Sequence, residues 1–416
     1  MSTFHRIALY AATAASLTAL APTVAHAQTV TFANVADTVT TNGGAFSGFG
    51  ISSINSGGAV AFYTTLDAGG DGIFTNTVGS STATTIADRN TTNNGVFNNF
   101  NNFVSINDLG TVAFVATLDA GGSGVFTNAG GSSTASIIAD NTTTNSGAFE
   151  SFTAPVINVD GTVAFRANLD SLANGIFTNT VGSPTASIIA DSTTTNGGAF
   201  SVLGVPNINS GGKVAFFSNL DTGRNGIFTN TAGSSTTASV ADTTNTNGGA
   251  FSNFIGSPDI NTGGTVVFFA DLDTGGTGIF TNREGSFTAD SIANSTTTNG
   301  GAFSFFINAS INTARTIAFS ATLDAGGSGV FARLPGGNAP FAVVQTGDSL
   351  FGSSVTRLSV SSSGLNDSNQ LAFNYSLADG RFGIAVAQIV VPEAGTLALA
   401  AVGLLAGVGV VVRRKR

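Results

Sequence analysis

The chain has 416 residues, no cysteine, no tryptophan and only two histidines, His5 and His26. Since both histidines lie in a predicted N-terminal leader, the mature protein lacks the side chains of Ser-His-Asp and Cys-His catalysis and the usual ligands of zinc and haem. Residues 28–391 contain 22 acidic and 9 basic residues, a net charge of −13, which argues against nucleic acid and anionic membrane surfaces as partners.

The first 27 residues have the features of a secretory signal peptide. Arg6 lies in a short n-region, residues 7–21 are largely apolar, and Ala25 and Ala27 form an A-x-A cleavage pattern. An amphipathic first helix is the alternative, but the apolar run has no charged face. We therefore expect residues 1–27 to be removed on export.

A unit of about 51 residues repeats seven times between residues 28 and 390. Its Val-Ala-Phe core begins at Val60, Val112, Val163, Val214, Val266, Ile317 and Leu371. In the second copy, turns rich in Asn, Asp and Gly separate four apolar segments, at 97–106, 111–118, 124–128 and 135–139. Four strands per unit are typical of a propeller blade. The repeat predicts an all-β, seven-bladed β-propeller.

The two ends of the repeat region complement each other. Residues 28–46 match only the last part of a unit, and the seventh copy stops near Val390 before its final strand. The N-terminal strand can therefore complete the last blade and close the ring. An open β-helix or other solenoid is the alternative, but its coils are usually shorter and it needs a cap at each end.

Phenylalanine recurs at three positions of the unit. One series lies in the second strands and another in the third strands, and both are expected to pack between adjacent blades. A third series opens each unit and comprises Phe46, Phe97, Phe149, Phe200, Phe251, Phe303 and Phe351.

Two series of acidic residues are expected at one face of the disc. The first follows the second strands and comprises Asp67, Asp119, Asp170, Asp221, Asp273, Asp324 and Asp379. The second ends the fourth strands and comprises Asp37, Asp88, Asp140, Asp191, Asp242 and Asp348, with Asn294 in the remaining place. The first six residues of the first series are candidate Ca²⁺ ligands. The alternative, favoured by the absence of a D-x-D-x-D-G run, is that these carboxylates bind turn amides and keep the face soluble.

The third region of the chain, residues 391–416, has the features of a membrane-spanning tail. Residues 394–412 are 19 uncharged residues, which as a helix are just long enough to cross a bilayer. Arg413, Arg414, Lys415 and Arg416 follow, and such a basic end favours the cytoplasmic side.

The motif Pro392-Glu393-Ala394, the apolar segment and the basic end together resemble the PEP-CTERM sorting signal, although its second Pro is Ala394 here. The resemblance implies export by a Gram-negative bacterium and recognition of the tail by an exosortase-type enzyme. It also implies an inner-membrane intermediate and a final place in the cell envelope, at the cell surface or in an extracellular biofilm matrix. A plain C-terminal anchor is the alternative.

The body resembles envelope proteins with tandem N-x-x-G-x-x-A-F repeats. The motif Gly is replaced by Arg315 in the sixth copy and by Asn369 in the seventh. The matching asparagines are Asn55, Asn107, Asn158, Asn209, Asn261, Asn312 and Asn366. This resemblance implies no activity.

The sequence predicts a non-enzymatic structural or adhesive surface protein that binds exopolysaccharide, with no catalytic or cofactor site. Glycoside hydrolysis needs two carboxyl groups in different environments, whereas Glu150 and Glu284 are far apart and unrepeated. The alternative function is a Ca²⁺-dependent carbohydrate-binding or glycoside-hydrolysing propeller.

Overall fold

The computed structural model describes residues 29–337 and 339–390, and within them 30 strands form seven sheets. In this part of the chain, no helix is long and apolar enough to cross a membrane. The predicted signal peptide, the sorting motif and the tail helix 394–412 lie outside the described residues.

The strands follow the chain blade by blade. The N-terminal strand and the first two blades contain β1 (Thr29–Asp37), β2 (Phe46–Ile54), β3 (Val60–Leu66), β4 (Asp71–Asn76), β5 (Thr84–Asp88), β6 (Phe97–Ile106), β7 (Thr111–Leu118), β8 (Ser123–Ala129) and β9 (Ser136–Asp140). The third and fourth blades contain β10 (Phe149–Ile157), β11 (Val163–Leu169), β12 (Asn174–Asn179), β13 (Ser187–Asp191), β14 (Phe200–Leu203), β15 (Asn207–Ile208), β16 (Val214–Leu220), β17 (Asn225–Asn230) and β18 (Ala238–Asp242).

The remaining three blades continue the same order. They contain β19 (Phe251–Ile260), β20 (Val266–Leu272), β21 (Thr277–Asn282), β22 (Asp290–Asn294), β23 (Phe303–Ile311), β24 (Ile317–Leu323), β25 (Ser328–Arg333), β26 (Phe341–Gln345), β27 (Ser349–Leu350), β28 (Ser353–Leu365), β29 (Gln370–Leu377) and β30 (Phe382–Val390). Short 3-10 turns in the connectors between blades span Thr41–Gly43, Thr92–Asn94, Thr144–Gly147, Thr195–Gly197, Thr246–Gly248 and Thr298–Gly300.

The predicted ring closure is confirmed in the seventh blade. Its sheet has the order β1-β30-β29-β28-β27, so the N-terminal strand is the outer strand of the last blade. Just beyond β1, the N–H of Thr38 donates a hydrogen bond to the carbonyl oxygen of Phe382 at 3.1 Å. Closure removes two free sheet edges and joins both ends of the described chain in one sheet.

Two blades differ in detail from the regular four-stranded unit. In the fourth blade the first strand is interrupted between β14 and β15, whereas the first strands of the third and fifth blades continue through Pro155 and Pro258, which occupy the repeat position of Pro206. In the seventh blade the position of the opening Phe is taken by Val355, since Val355 pairs with Leu377 as Phe303 pairs with Leu323.

Phe351 is therefore not the seventh member of the opening series. It lies in a turn with a positive φ of 50°, and its ring packs edge-on against Tyr375 at 5.5 Å.

The phenylalanines pack between neighbouring blades, as predicted. In the second blade, the Phe97 and Phe126 rings meet edge to face at 5.0 Å, and Phe114 stacks on Phe126 at 5.9 Å. This cluster buries itself against Ala61 and Ile73 of the first blade. Each blade thus presents rings on one side and small aliphatic side chains on the other, and neither side is buried without a neighbour.

The glycine two residues before each third-strand Phe is required by this packing. A Cβ at Gly124 would lie 2.8 Å from the carbonyl oxygen of Ala139 and 3.0 Å from the Phe126 ring. The G-[IV]-F pattern of the third strand follows from that close approach.

Candidate functional site

The first strands of the blades surround a central channel. The seven motif asparagines form a ring of hydrogen-bonded side chains around this channel, here called the asparagine ring. The side-chain nitrogen of each motif Asn donates to the backbone carbonyl oxygen of the equivalent Asn in the next blade, at 2.8–3.5 Å. The last link, from Asn366 to Asn55, joins the seventh blade to the first at 2.8 Å. Among the described residues this asparagine ring is a closed cycle of seven side chains.

Each of these asparagines also holds its own turn. The side-chain oxygen of Asn158, for example, accepts the N–H of Thr162 at 2.9 Å, and the same bond recurs in the other blades. Buried polar groups must be paired, and one carboxamide here satisfies a donor in its own blade and an acceptor in the next. The invariant Asn of the repeat is thus explained by packing and polar satisfaction.

An apolar collar lies beside the asparagine ring. It consists of Ile54, Ile106, Ile157, Ile208, Ile260, Ile311 and Leu365, each immediately before a motif Asn. Cavities of about 190 and 160 Å³ share five of these side chains, so the collar lies between the two.

The second of these cavities contains a buried carboxyl group. In the first two blades the hydroxyls of Ser53 and Ser105 accept N–H groups from the next blade. Asp259 occupies the same position in the fifth blade.

The Asp259 side chain bridges the fifth and sixth blades. Its carboxylate accepts hydrogen bonds from the N–H of Ile311 at 2.9 Å and from the hydroxyl of Ser310 at 3.1 Å, and also from the N–H of Ile260 at 2.8 Å. Burial raises the pKa of Asp259 to about 7, although these bonds lower it in part. The channel therefore contains an acid that changes its charge near neutral pH.

The first acidic series lies on exposed turns after the second strands. The backbone N–H of Asp67 donates to the carbonyl oxygen of Ala45, and Asp119, Asp170, Asp221, Asp273 and Asp324 repeat this bond to the connector. The carboxylates of these six residues are exposed and make no hydrogen bond within the described residues. The expectation that they bind turn amides is wrong for these six residues, whereas Asp379, the seventh member of the series, accepts the N–H of Arg381 at 3.0 Å as expected.

The described part of the chain contains no group of three or more acidic side chains close enough to hold a metal ion. Metal binding by Asp67 and its equivalents stays a prediction, and a site there would need further ligands besides the single carboxylate of each turn.

The second acidic series caps its turns. Asp191 accepts the N–H of Thr193 at 2.9 Å and the hydroxyl of Thr194 at 2.7 Å, and its own N–H donates to Thr195. Burial raises the pKa of Asp191, but hydrogen bonds from Thr194 and Thr193 outweigh it and hold the pKa below its ordinary value. The pKa is lowered in the same way at Asp37, Asp88, Asp140 and Asp242.

Asp348 is not a member of this series. Gly329 pairs with Gln345 as Gly175 pairs with Asp191, so Gln345 takes the place of the capping Asp in the sixth blade. Asp348 lies three residues later and accepts the N–H of Gln345 at 2.8 Å. The sixth blade has Gln in place of the capping Asp, so the next Asp along the chain was mistaken for it.

The two acidic series lie at the same end of the blades. Arg89, which follows Asp88, forms an ion pair with Asp71 at the start of the third strand. Together with the bond from Asp67 to Ala45, this contact places the connectors beside the turns between second and third strands. The acidic face was thus correctly predicted, whereas Asp259 was overlooked. The sequence does mark Asp259 as unusual, because the other six copies of the repeat carry Ser, Val, Asn or Gly at this position.

Two family models match the chain. One, described as a family of unknown function (DUF7453), matches residues 25–398, and the PEP-CTERM protein-sorting motif matches residues 390–416. The second match bears out the predicted sorting signal. No curated protein matches the chain.

Solved structures resemble the fold at low sequence identity. A structure from a study of two prolyl endopeptidases is 13% identical, has a TM-score of 0.54, and covers 84% of this chain and 51% of its own. The acylaminoacyl peptidase of Pyrococcus horikoshii is 8% identical, has a TM-score of 0.51, and covers 79% of this chain and 49% of its own. The chain spans about half the length of these proteins. At such identities the likeness concerns the propeller fold alone.

Proposed function

Because this chain belongs to the family of unknown function DUF7453, which supplies no activity, we propose its function from its sorting signal and its fold. It is an exported, non-enzymatic structural or adhesive protein of the cell envelope or extracellular matrix, and it binds exopolysaccharide.

The observation that carries this proposal is the sorting motif at the C-terminus. A PEP-CTERM motif implies export, sorting to the cell envelope of a Gram-negative bacterium, and recognition by an exosortase-type enzyme. The finer steps are part of the proposal. Residues 1–27 direct export and are removed after Ala27, residues 394–412 hold an inner-membrane intermediate, and the enzyme then acts near Pro392 and Glu393.

The fold supports a passive, durable binding role. Ring closure, the asparagine ring and the aromatic clusters make a rigid disc without disulfides. Its loops are rich in Ser, Thr, Asn and Gly, whose hydroxyl and amide groups suit the hydroxyls of a sugar polymer. Residues 28–391 contain no His or Cys. Asp259, the acid with a raised pKa, accepts hydrogen bonds from two neighbouring backbone N–H groups.

Co-sedimentation tests the proposal. Ring closure is complete within residues 29–390, so the fragment 28–391 can be purified and mixed with exopolysaccharide from the producing bacterium, with and without millimolar Ca²⁺. Saturable sedimentation in the absence of Ca²⁺ is expected, whereas heat-unfolded protein should not give a saturable curve.

Binding only with Ca²⁺ would favour the alternative, a Ca²⁺-dependent carbohydrate-binding propeller. Release of reducing sugar ends during the incubation would favour the hydrolytic alternative. An absence of binding in both buffers would contradict the proposed adhesive role.

A further inference from the structure

A cleft of about 680 Å³ lies between the fifth and sixth blades. It is bordered by the loops after β21 and β25 and by the turn between β23 and β24. These segments lie at the opposite end of the blades from the acidic turns. A volume of this size is typical of sites for small ligands or for a short segment of a polymer.

Three arginines line the cleft, and each departs from the repeat. Arg283 stands where three other blades have Thr, at Thr77, Thr180 and Thr231. Arg333 stands where the first five blades have Asn, from Asn76 to Asn282. Arg333 still donates to a loop carbonyl four residues later and to a carbonyl of the preceding blade, as Asn282 does, so this folding role does not require the charge of a guanidinium.

Arg315 is the third arginine, and it replaces the motif Gly at a position where the backbone conformation favours Gly. It occupies the motif Gly position with a φ of 68°, a left-handed conformation that costs free energy for a residue with a Cβ. Its side chain is exposed and makes no hydrogen bond or ion pair with the described residues. The sequence thus keeps an unpaired cation at this cleft at a conformational cost.

The guanidinium groups of Arg283 and Arg333 are held in place by hydrogen bonds that use only some of their N–H donors. The Nε of Arg283 donates to the hydroxyl of Thr265 at 2.9 Å. Arg333 donates from Nε to the carbonyl oxygen of Gly337 and from one terminal nitrogen to that of Ser291, at 2.9 and 2.7 Å. A guanidinium has five N–H donors, so both side chains are oriented and retain free donors.

The positive charge of the cleft is not neutralised by the protein. Within residues 29–337 and 339–390 there are three ion pairs, and none involves these arginines. Glu284, the neighbour of Arg283, is bound to Lys213 at 2.7 Å, and Lys213 lowers the pKa of Glu284. One carboxylate, Asp290, lines the cleft, against three guanidiniums.

We propose that this arginine cleft, formed by Arg283, Arg315 and Arg333, binds the carboxylate groups of an acidic, uronate-containing polysaccharide. This assignment rests on the proposed polysaccharide-binding function and names its substrate class and site. A guanidinium fork pairs with the two oxygens of a carboxylate, and the hydroxyls of Thr281 and Thr288 in the same lining offer partners for sugar hydroxyls. The net charge of the body, −13, disfavours polyanions over most of its surface, but three of its nine basic residues are concentrated at this cleft, so an anionic ligand would be bound here locally.

The repeat itself supplies the test variant. Arg283→Thr, Arg315→Gly and Arg333→Asn replace each arginine by the residue that other blades use, so the triple variant should fold and melt at or above the temperature of the wild type. Arg224→Gln, an exposed arginine on a turn at the other end of the blades, is the matched control. Binding of each 28–391 protein to immobilised polygalacturonate, dextran sulfate and neutral dextran is measured at two salt concentrations.

We expect salt-sensitive binding of the wild type and of Arg224→Gln to polygalacturonate, and affinity at least about tenfold weaker for the triple variant. Equal affinity of the folded triple variant and the wild type would overturn the site while leaving polysaccharide binding intact. Binding to dextran sulfate alone would overturn the assignment to carboxylates. Binding to neutral dextran alone would overturn the acidic substrate class, and binding to none of the polymers would count against both proposals.

Discussion

The pH dependence of folding should depend on Asp259. Its folded pKa of about 7 lies above the ordinary Asp value, because its carboxyl group is buried between the fifth and sixth blades. A folded pKa that is raised means that the native protein holds the proton more tightly than the unfolded chain. The contribution of Asp259 to stability is therefore greatest below about pH 4, falls as the pH rises toward 7, and is constant above about pH 8.

The size of the effect follows from the two pKa values. With about 3.9 in the unfolded chain and about 7 in the folded protein, the free energy of unfolding falls by about 3 kcal/mol between pH 5 and pH 8.5. Residues 28–391 contain no histidine, so few other groups titrate in this interval. Asp259→Asn keeps an acceptor for the N–H of Ile311 and carries no charge, and its stability should be nearly flat over the same range.

Urea unfolding of the 28–391 fragment, followed by far-ultraviolet circular dichroism because the chain has no Trp, measures this difference. Asp119→Asn, a neutralised carboxylate on an exposed turn, is the control and should keep the pH dependence of the wild type. A wild type with equal stability at pH 5 and pH 8.5, or an Asp259→Asn variant with an equal fall, would refute the assignment of the buried acid.

Four further predictions concern ring closure and the acidic face. Asn261→Ala leaves the N–H of Thr265 unpaired and removes the hydrogen bond to the carbonyl oxygen of Asn312, and should lower the free energy of unfolding by about 1–3 kcal/mol in urea titrations; a loss below the error of measurement would contradict the structural role of the asparagine ring. Deletion of residues 28–38 removes β1 and exposes the edge of β30, so size-exclusion chromatography should show aggregates, and a well-behaved monomer would argue against closure by this strand. The pKa of Asp191 is lowered on folding, so its stabilising effect is present above about pH 4 and lost as the pH falls through the folded pKa; Asp191→Asn should reduce the difference in melting temperature between pH 7 and pH 3, and an unchanged difference would count against the cap. If Asp119 and its equivalents bind Ca²⁺, millimolar Ca²⁺ should raise the melting temperature of the wild type more than that of Asp119→Asn, whereas identical curves would dismiss the calcium hypothesis.

The repeat made the architecture predictable. Strict spacing located the four strands of the second blade to within one or two residues, and the partial units at the two ends predicted closure by β1. Such a prediction succeeds because each unit buries its Phe side only against a neighbour, so the period of the sequence is the period of the fold.

Local departures from the repeat were harder to interpret. Phe351 and Asp348 were assigned to the wrong positions because the equivalent positions carry Val355 and Gln345, which only the strand register identifies. The role of the motif Asn was also hidden, since its partner lies about 51 residues away and the bond forms only when adjacent blades pack together.

The candidate sites depend on contacts between blades. Asp259 faces Ser310 and Ile311 of the next blade, and the arginine cleft joins side chains from the fifth and sixth blades. A single sequence reveals these residues as exceptions to the repeat, but their shared location requires the fold.

The central claim, an exported propeller that holds polysaccharide, is tested most directly in the producing bacterium. The full chain is followed by antibody through fractions of cells, matrix and medium, in the wild type and in a strain that makes no exopolysaccharide. We expect the protein in the matrix fraction of the wild type and its release into the medium of the deficient strain. An identical distribution in the two strains would contradict the account.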